Sequence, residues 1–377
     1  MILEILLFLL IVAGGVFYIA CGLCTLKFPD SHHTVSNNEP VSILIPVCGV
    51  DSAALGNWTS FCTQDYPEYE VLFGVKDNDD AAIPILRDIV ARFPEKARLF
   101  VDLPPKGINY QISNLMYLLD NAKYDLIILA DSDIEVTPDY LKTLTIPFSD
   151  PNIGVVTCGY ADHQPKFIGA ALASLGRCVD FLPSVLVARF LDKGMTFALG
   201  PTIAIRKTVV NKFGGLQQVV NRIGSDYNIG KMATEAGYKV ELSQYILNND
   251  CGGDSPWDVF KRELRWARTI RMNRGKDYYG LLFTYGTVYS LFLLLISGFS
   301  PYAIYLSAVV LNLRLIQASV AIYRFGCPHL TLWLWLLPLR DAMSFLIWLW
   351  GAFGNKVYWR GRILEIGDRG QLSEARD

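Results

Sequence analysis

From Tyr278 to Leu313 the chain runs for 36 residues without a charged side chain, and from Ile5 to Leu26 for another 22. About 20 consecutive apolar residues suffice to cross a ~30 Å hydrocarbon core as a helix. The charges lie between these stretches: the mean hydropathy is +0.29, yet 19% of the 377 residues are charged. Such a pattern describes a membrane protein that carries a polar domain in its middle.

Glu4 stands where a signal peptide would have a basic region, and the apolar run exceeds the length of a signal core, so residues 1–27 read as a retained anchor. Ser297-Gly298-Phe299-Ser300-Pro301 divides the long C-terminal stretch into two spans. Leu330 to Phe353 is a third, apolar apart from Arg340-Asp341, an adjacent opposite-charge pair that lowers its own burial cost or faces other protein groups. One span before the polar region and about three within 278–355 would place the tail, 356–377, opposite the polar domain. That tail nevertheless holds Lys356, Arg360 and Arg362, which the positive-inside tendency puts in the cytoplasm. A re-entrant segment would reconcile the two.

A net charge of -2 offers no basic excess for tracking a phosphate backbone, so nucleic acid is not an expected partner. Of the eight cysteines, Cys21 and Cys24 lie in the anchor and the rest are scattered singly, which is not a disulfide framework. A metal-binding pair inside a lipid-facing helix would lack its other ligands. His32-His33 falls in a linker. Reduced thiols fit a domain that faces the cytoplasm.

The polar region, 40–277, opens with Val41-Ser42-Ile43-Leu44-Ile45-Pro46-Val47, a buried-strand pattern, followed by a helical stretch from Ala53 to Cys62. Tyr69 to Val75 is a second strand, Ile83 to Phe93 has helical spacing, Ala97 to Val101 is strand-like, Ile112 to Leu119 helical, and Asp125 to Ala130 a strand. Strands alternating with helices predict an α/β fold with a mostly parallel, doubly wound sheet. Right-handed crossovers place the loops after the strands on one edge, where open α/β sheets bind ligands. Those loops carry Asp51, Lys76-Asp77-Asn78-Asp79-Asp80 and Asp131-Ser132-Asp133. Two carboxylates one residue apart repel unless something positive lies between them, and a hard divalent cation answers that need. An ordinary polar turn accounts equally for any one of these acids.

Further along, Gly224-Ser225-Asp226-Tyr227 precedes an amphipathic pattern. Asp226 is either a helix N-cap or a base held at a helix start. In Lys261-Arg262-Glu263-Leu264-Arg265-Trp266-Ala267-Arg268, Arg262 and Trp266 are four apart on one helix face with Arg265 beside them. Arginine forks match diphosphate oxygens and an indole supplies a flat wall, but a basic helix beside a membrane also meets anionic lipid. Phe167 to Leu191 is apolar but interrupted by Arg177, Asp180, Pro183 and Arg189; an interfacial helix is expected over 167–191, with a buried helix pair as the alternative.

Together, Asp77, Asp131-Ser132-Asp133, Asp226 and Arg262-Glu263-Leu264-Arg265-Trp266 resemble the spaced acids and (Q/R)xxRW motif of membrane-bound inverting glycosyltransferases with the GT-A fold. Within that group the chain looks most like the ceramide glucosyltransferase family. Further matches are Gly49-Val50-Asp51, Gln64-Asp65-Tyr66-Pro67, Gly107-Ile108-Asn109 with Ser113-Asn114-Leu115, and Trp359-Arg360-Gly361-Arg362, so the resemblance spans Pro40 to Arg362. Phe181 to Arg189, Arg262 to Arg271 and Pro338 to Asp341 are similar to the bacterial branch associated with hopanoid biosynthesis.

The resemblance implies a nucleotide-diphospho-sugar transferase domain with a UDP-sugar donor, and a lipid acceptor reached at the bilayer. Asp77, Asp131, Asn109, Asn114, Arg262, Arg265 and Trp266 would bind the donor, Asp131 and Asp133 would hold Mg²⁺ or Mn²⁺, and Asp226 would be the general base. The donor would be UDP-glucose or UDP-N-acetylglucosamine; the acceptor would be ceramide-like or a hopanoid such as bacteriohopanetetrol. A bacterial inner membrane with the catalytic domain in the cytoplasm follows from the same branch. The competing readings are a processive polysaccharide synthase and a non-catalytic membrane sugar-binding protein. The first needs a polymer channel, for which three C-terminal spans leave little room, and Gln where this chain has Arg262.

Overall fold

A computed structural model describes residues 2–28, 37–161, 164–249, 253–359 and 361–374; the His32-His33 linker and Arg360 lie outside the described residues. The chain divides into two compact units. A sheet unit takes 29–160, 192–250 and 358–377, and a helical unit takes 1–28, 161–191 and 251–357.

The strands of the main sheet are β1 (Val41–Val47), β2 (Tyr69–Val75), β3 (Ala97–Phe100), β4 (Leu126–Ala130), β5 (Ile153–Ala161), β6 (Thr202–Arg206) and β7 (Lys239–Asn248), in the order β3-β2-β1-β4-β6-β5-β7. Every residue of β2 and β4 is buried, which is why both read as unbroken apolar runs rather than as alternating ones. Pairing is parallel from β3 through β2 and β1 to β4, with Val41 opposite both Tyr69 and Leu126. At β6 the direction reverses, and Thr202–Arg206 runs antiparallel to β4 and to β5. The sheet is mostly parallel, as expected, with the parallel pairing gathered in β3, β2, β1 and β4. Adjacent antiparallel strands need no crossover helix over the sheet, and the chain between β5 and β6 spends residues 161–191 in the helical unit.

At the amino edge of the parallel half, the buried Glu70 accepts hydrogen bonds from Ser42 Oγ (2.7 Å), the Lys123 backbone N–H (2.6 Å) and Arg98 (2.7 Å). A buried carboxylate is tolerated when its lone pairs are satisfied in this way. The tail forms a second sheet rather than a loose basic segment: β8 (Lys356–Trp359), β9 (Arg362–Ile366) and β10 (Leu372–Glu374) lie side by side, β9 and β10 antiparallel.

In the helical unit, the Ile2–Leu26 helix packs on the Gly286–Ile296 and Pro301–Arg324 helices around Leu7, Ile11, Tyr289, Leu293 and Val310. Gly14 and Gly286 meet so closely that a side chain on Gly14 would strike the Gly286 backbone, and beside them Tyr18 and Thr287 hydroxyls bond at 3.0 Å. Small residues at the crossing with a polar link nearby suit helices packed in a bilayer. The chain breaks between Ile296 and Pro301, where Gly298 and Phe299 take φ values of 62° and 57°.

Four helices are long and apolar enough to cross a membrane: Ile2–Leu26, Ile168–Leu191, Pro301–Arg324 and Pro328–Gly351. A pair bent by 54°, Asp277–Thr284 with Gly286–Ile296, is a fifth candidate. Strand pairing limits how many of them do cross. Val155 and Ile205 are partners in one sheet, so the segment between them starts and finishes on one side, and the single Ile168–Leu191 helix does not traverse. Most of it, 78% of the window, is buried within the protein, leaving Phe167, Ile168, Phe190 and Leu191 exposed at its ends. The same logic applies later. Leu372 donates its backbone N–H to Asn221 and Ile223 donates to Gly370, so the tail lies with the sheet unit and residues 253–357 cross an even number of times. Three candidates occupy that stretch, so at least one is not a full crossing. A tag at the C-terminus and a tag inserted at the exposed Pro94-Glu95 turn are therefore expected on the same side of sealed vesicles by protease protection; opposite sides would refute this topology.

Candidate active site

Asp131 begins the turn that follows β4, at the carboxyl edge of the parallel strands. Four segments hold that turn. The Asp131 N–H donates to Pro201 O (3.0 Å), Gln111 Nε2 donates to Asp131 Oδ1 (2.6 Å), Trp58 Nε1 to Ser132 O (3.1 Å) and Asn249 Nδ2 to Asp133 O (2.9 Å). Asp131 is half-buried and Asp133 exposed, so the two acids stand on the rim with their backbone immobilised beneath them. None of Gln111, Trp58 or Asn249 was legible as a site residue from sequence. Gln111 lies between Gly107-Ile108-Asn109 and Ser113-Asn114-Leu115, and that position was the available signal.

Asp77 follows β2 on the same edge and pairs with Lys76, whose ammonium lies 5.1 Å from the Tyr110 ring centroid. The hydrogen bond to Asp77 holds the Lys76 amine above its ordinary pKa. Tyr110 and Gln111 open the Tyr110–Asn121 helix, so one helix start touches the surroundings of Asp77 and of Asp131. Asp80 ties the first two loops together, accepting from the Gly49 N–H (2.9 Å) and the Ala82 N–H (2.8 Å), and Gly49 turns there with φ 73°.

Asn109 and Asn114, named above with the donor-binding residues, are 1% and 4% exposed. Asn109 caps the helix, its side chain accepting from the Ile112 N–H, and Asn114 Nδ2 donates to Gly74 O at 3.3 Å. Asn109 thereby fixes the helix start and the Asn114 amide nitrogen the end of β2, while Asn114 Oδ1 is buried with no protein hydrogen-bond partner. Gly107 completes the arrangement, since a Cβ there would come within 2.7 Å of Val220 and Asn221.

Asp226 lies in the first turn of the Ser225–Glu235 helix. The N-cap position belongs to Gly224, in the left-handed region at φ 65° with no side-chain cap bond, which corrects the capping alternative for Asp226. A Cβ added at Gly200 would lie 3.2 Å from Asp226 Oδ2, so glycine there leaves room beside the carboxylate. The following residue, Pro201, is the one whose carbonyl accepts from Asp131. Phe197 stacks on Tyr227 at 5.9 Å, and Gly230 lets the helix press against Phe197 and Ala198. The segment 197–201 thus connects the Asp226 helix to the Asp131 turn. Asp77, Asp131, Asp133 and Asp226 all belong to the sheet unit.

Arg262, Arg265 and Trp266 belong to the helical unit, on the Pro256–Arg274 helix. Ser255 and Asp258 form a capping box at its start, and hydrogen bonds from Lys261 and Ser255 pull the Asp258 carboxyl down to about 2. Arg262 pairs with Asp254, and the Arg262 and Arg177 guanidiniums each lie 5.8 Å from the Trp266 ring. Glu263, between the motif residues, points inward and is gripped by Arg340 through two bonds of 2.9 and 2.7 Å. Arg340 also donates to Asp180 (3.1 Å), Asp180 pairs with Arg314, and Arg314 donates to Asp341 (2.7 Å). Arg340 and Asp341 therefore do not neutralise each other. Neighbours in a helix face different ways, and each finds its partner on another element. Gly176 makes room for the Arg340 guanidinium, which a Cβ there would meet.

The sequence profile of glycosyl transferase family 21 matches residues 6–372. The chain belongs to this family. Two curated relatives of this family-21 chain are from Caenorhabditis elegans. Ceramide glucosyltransferase 1 is 23% identical over 375 residues, covering 92% of this chain and 76% of the relative. Ceramide glucosyltransferase 3 is 26% identical over 254 residues, covering 63% and 52%. Among solved structures, a mannosyltransferase from Pyrobaculum calidifontis in complex with GDP-Man and Mn²⁺ superposes with a TM-score of 0.53 at 15% identity, over 93% of this chain and 96% of that one. The family-21 protein is accordingly a membrane glycosyltransferase with a GT-A sheet domain.

Removing Arg340 would strand Glu263 and leave Asp180 with Arg314 as its arginine partner. Arg340→Met is expected to lower stability by about 3–5 kcal/mol, read as a lower melting temperature in detergent. Adding Glu263→Gln should return part of that loss, and an unchanged melting temperature in the single variant would refute the role given to the pair.

Proposed function

We propose that this protein is an inverting glycosyltransferase moving a hexose from a UDP-sugar, UDP-glucose or UDP-N-acetylglucosamine, to a hydroxyl of a membrane lipid. The observation that carries the proposal is the pairing of sites across residues 200–201: Gly200 opens space at the Asp226 carboxylate while Pro201 holds the Asp131 turn. An acid placed apart from the rim carboxylates, yet tied to them through one short segment, suits a base facing a bound donor.

Asp226 takes the proton of the acceptor hydroxyl, which needs only hydrogen-bond reach. The hydroxyl oxygen attacks the anomeric carbon from the face opposite UDP, the bond to the diphosphate breaks with its electron pair, and an α-linked donor yields a β-glycoside. Asp77 contacts the uridine, and Asp131 and Asp133 face the diphosphate. Among the described residues no three His, Cys, Asp or Glu side chains gather as a metal site, and the donors in this reading are the two rim carboxylates, Asp131 and Asp133. That donor set fits a hard cation completed by phosphate oxygens and water, Mg²⁺ or Mn²⁺, and not a structural zinc. When bound, such an ion neutralises the departing diphosphate. Arg262, Arg265 and Trp266, donor-binding residues by the same family resemblance, would supply positive charge and a flat apolar wall to the donor.

The acceptor is ceramide-like or a hopanoid. The names of the curated relatives favour ceramide and glucose, whereas the residues of 181–189, 262–271 and 338–341 favour the hopanoid branch. The apolar ends of the 168–191 helix offer a contact with lipid for the acceptor's approach. We place the catalytic domain on the cytoplasmic face of a bacterial inner membrane, the side to which the scattered cysteines of the sequence pointed.

The test is incubation of the full-length protein in lipid nanodiscs with each UDP-sugar in turn, adding ceramide or bacteriohopanetetrol, and identification of the product by mass. A lipid carrying a single sugar is expected from one donor and acceptor pair. A sugar polymer, or no glycolipid with any pair, would contradict the proposal.

A further inference from the structure

The C-terminal tail is built into the candidate active site at two places. Its backbone joins the segment leading to Asp226: Leu372 N–H donates to Asn221 O (2.8 Å) and Ile223 N–H to Gly370 O (2.9 Å). Its side chain Arg362 reaches the other rim, with the guanidinium 4.2 Å from the Tyr110 ring centroid and one nitrogen donating to Ile108 O at 3.0 Å. Glu374 orients that guanidinium from β10, also at 3.0 Å. Between the two places the loops are already joined, because the Ile108 N–H donates to the Asn221 side chain (2.9 Å) and the Asn109 N–H to Val220 O (2.9 Å). The tail, residues 107–111 and residues 220–223 thus close a ring.

Tyr110 carries two cations. Arg362 covers its ring, and the Lys76 ammonium, the partner of Asp77, lies 5.1 Å from the same centroid. The next residue, Gln111, holds Asp131. A planar guanidinium covers a ring and donates to a carbonyl in one rigid fork; an ammonium on a flexible stem holds the same two contacts in a less fixed geometry.

We propose that Arg362 is a positioning residue for the nucleotide donor: by clamping Tyr110 and Ile108 it fixes the helix start from which Gln111 orients the Asp131 carboxylate. Arg362 acts through Gln111 and Asp131. The segment that follows the candidate membrane helices, residues 362–374, is then part of the donor site. The inference rests on the UDP-sugar reading above.

The experiment is calorimetric UDP binding by full-length protein in nanodiscs, with Mn²⁺ and with EDTA, alongside donor KM and kcat. Arg362→Ala is expected to weaken UDP·Mn²⁺ binding and raise donor KM about tenfold, the size seen when a group orienting a metal ligand is lost. Acceptor KM should stay unchanged. Gln111→Ala should reproduce the effect, and the double variant should fall well short of the product of the two, since both act through one carboxylate. Arg362→Lys, which keeps the charge, should weaken UDP binding in the same direction, and serves if the alanine variant fails to fold. A purely structural role would lower melting temperature and kcat with UDP affinity unchanged. That result, or independent effects in the double variant, would overturn the inference. Absence of UDP binding by the wild-type protein would sink the donor reading and this inference with it, whereas UDP binding untouched by Arg362→Ala and Arg362→Lys would sink this inference alone.

Discussion

Keeping two carboxylates one residue apart at the end of a buried strand is the constraint around which the sheet unit is organised. Like charges in so short a turn push it apart unless the backbone is fixed and a positive group is available. Here β4 is buried throughout, and the turn above it is held through Gln111, Trp58, Pro201 and Asn249. Those residues come from segments scattered from 58 to 249, so the site forms only when the unit has folded. Glu70 shows the contrasting solution at the amino edge, where a buried carboxylate has three donors of its own. There the charge is structural. At the carboxyl edge, it is left at the surface.

The helical unit solves a related problem by pairing. Glu263, Asp180 and Asp341 alternate with Arg340 and Arg314 through its interior, joining the Pro256–Arg274 helix to the Pro301–Arg324 and Leu337–Gly351 helices and to the Gly176–Phe181 stretch of the 168–191 helix. Charges this deep are seldom more stabilising than apolar residues of equal volume, but breaking one pair leaves its partner exposed to the full cost of burial. What the chain gains is orientation. With Glu263 pinned inward, the rotation of the helix that presents Arg262, Arg265 and Trp266 is set.

Much of the parallel half of the sheet was legible in the sequence, because strands buried on both faces leave runs such as Val41–Val47 and Tyr69–Val75, whose bounds match those observed. The antiparallel half was not. Ile153–Ala161 has no distinguishing period, and the pairing of Thr202–Arg206 with β4 depends on contacts remote in sequence. The tail announced itself only by its charge, since its strands have four, five and three residues. The acids of the candidate site were singled out by the family resemblance of their motifs, but the residues that hold them were not. Asp226 looked like a cap because Gly224, which takes that position by its left-handed backbone, carries no side-chain signal. That Asn109 and Asn114 are buried, with hydrogen bonds to the Ile112 N–H and to Gly74 O, was not legible in the sequence, because burial of a polar side chain leaves no local pattern.

The assignment of Asp226 as base, separate from the residues that hold the nucleotide, is where the account is most exposed. Turnover and UDP affinity measured together on Asp226→Asn decide it most directly. The account predicts UDP binding close to that of the wild-type protein, with glycolipid formation reduced by about 10² to 10⁴-fold. Unchanged turnover, or loss of UDP binding along with turnover, would contradict it.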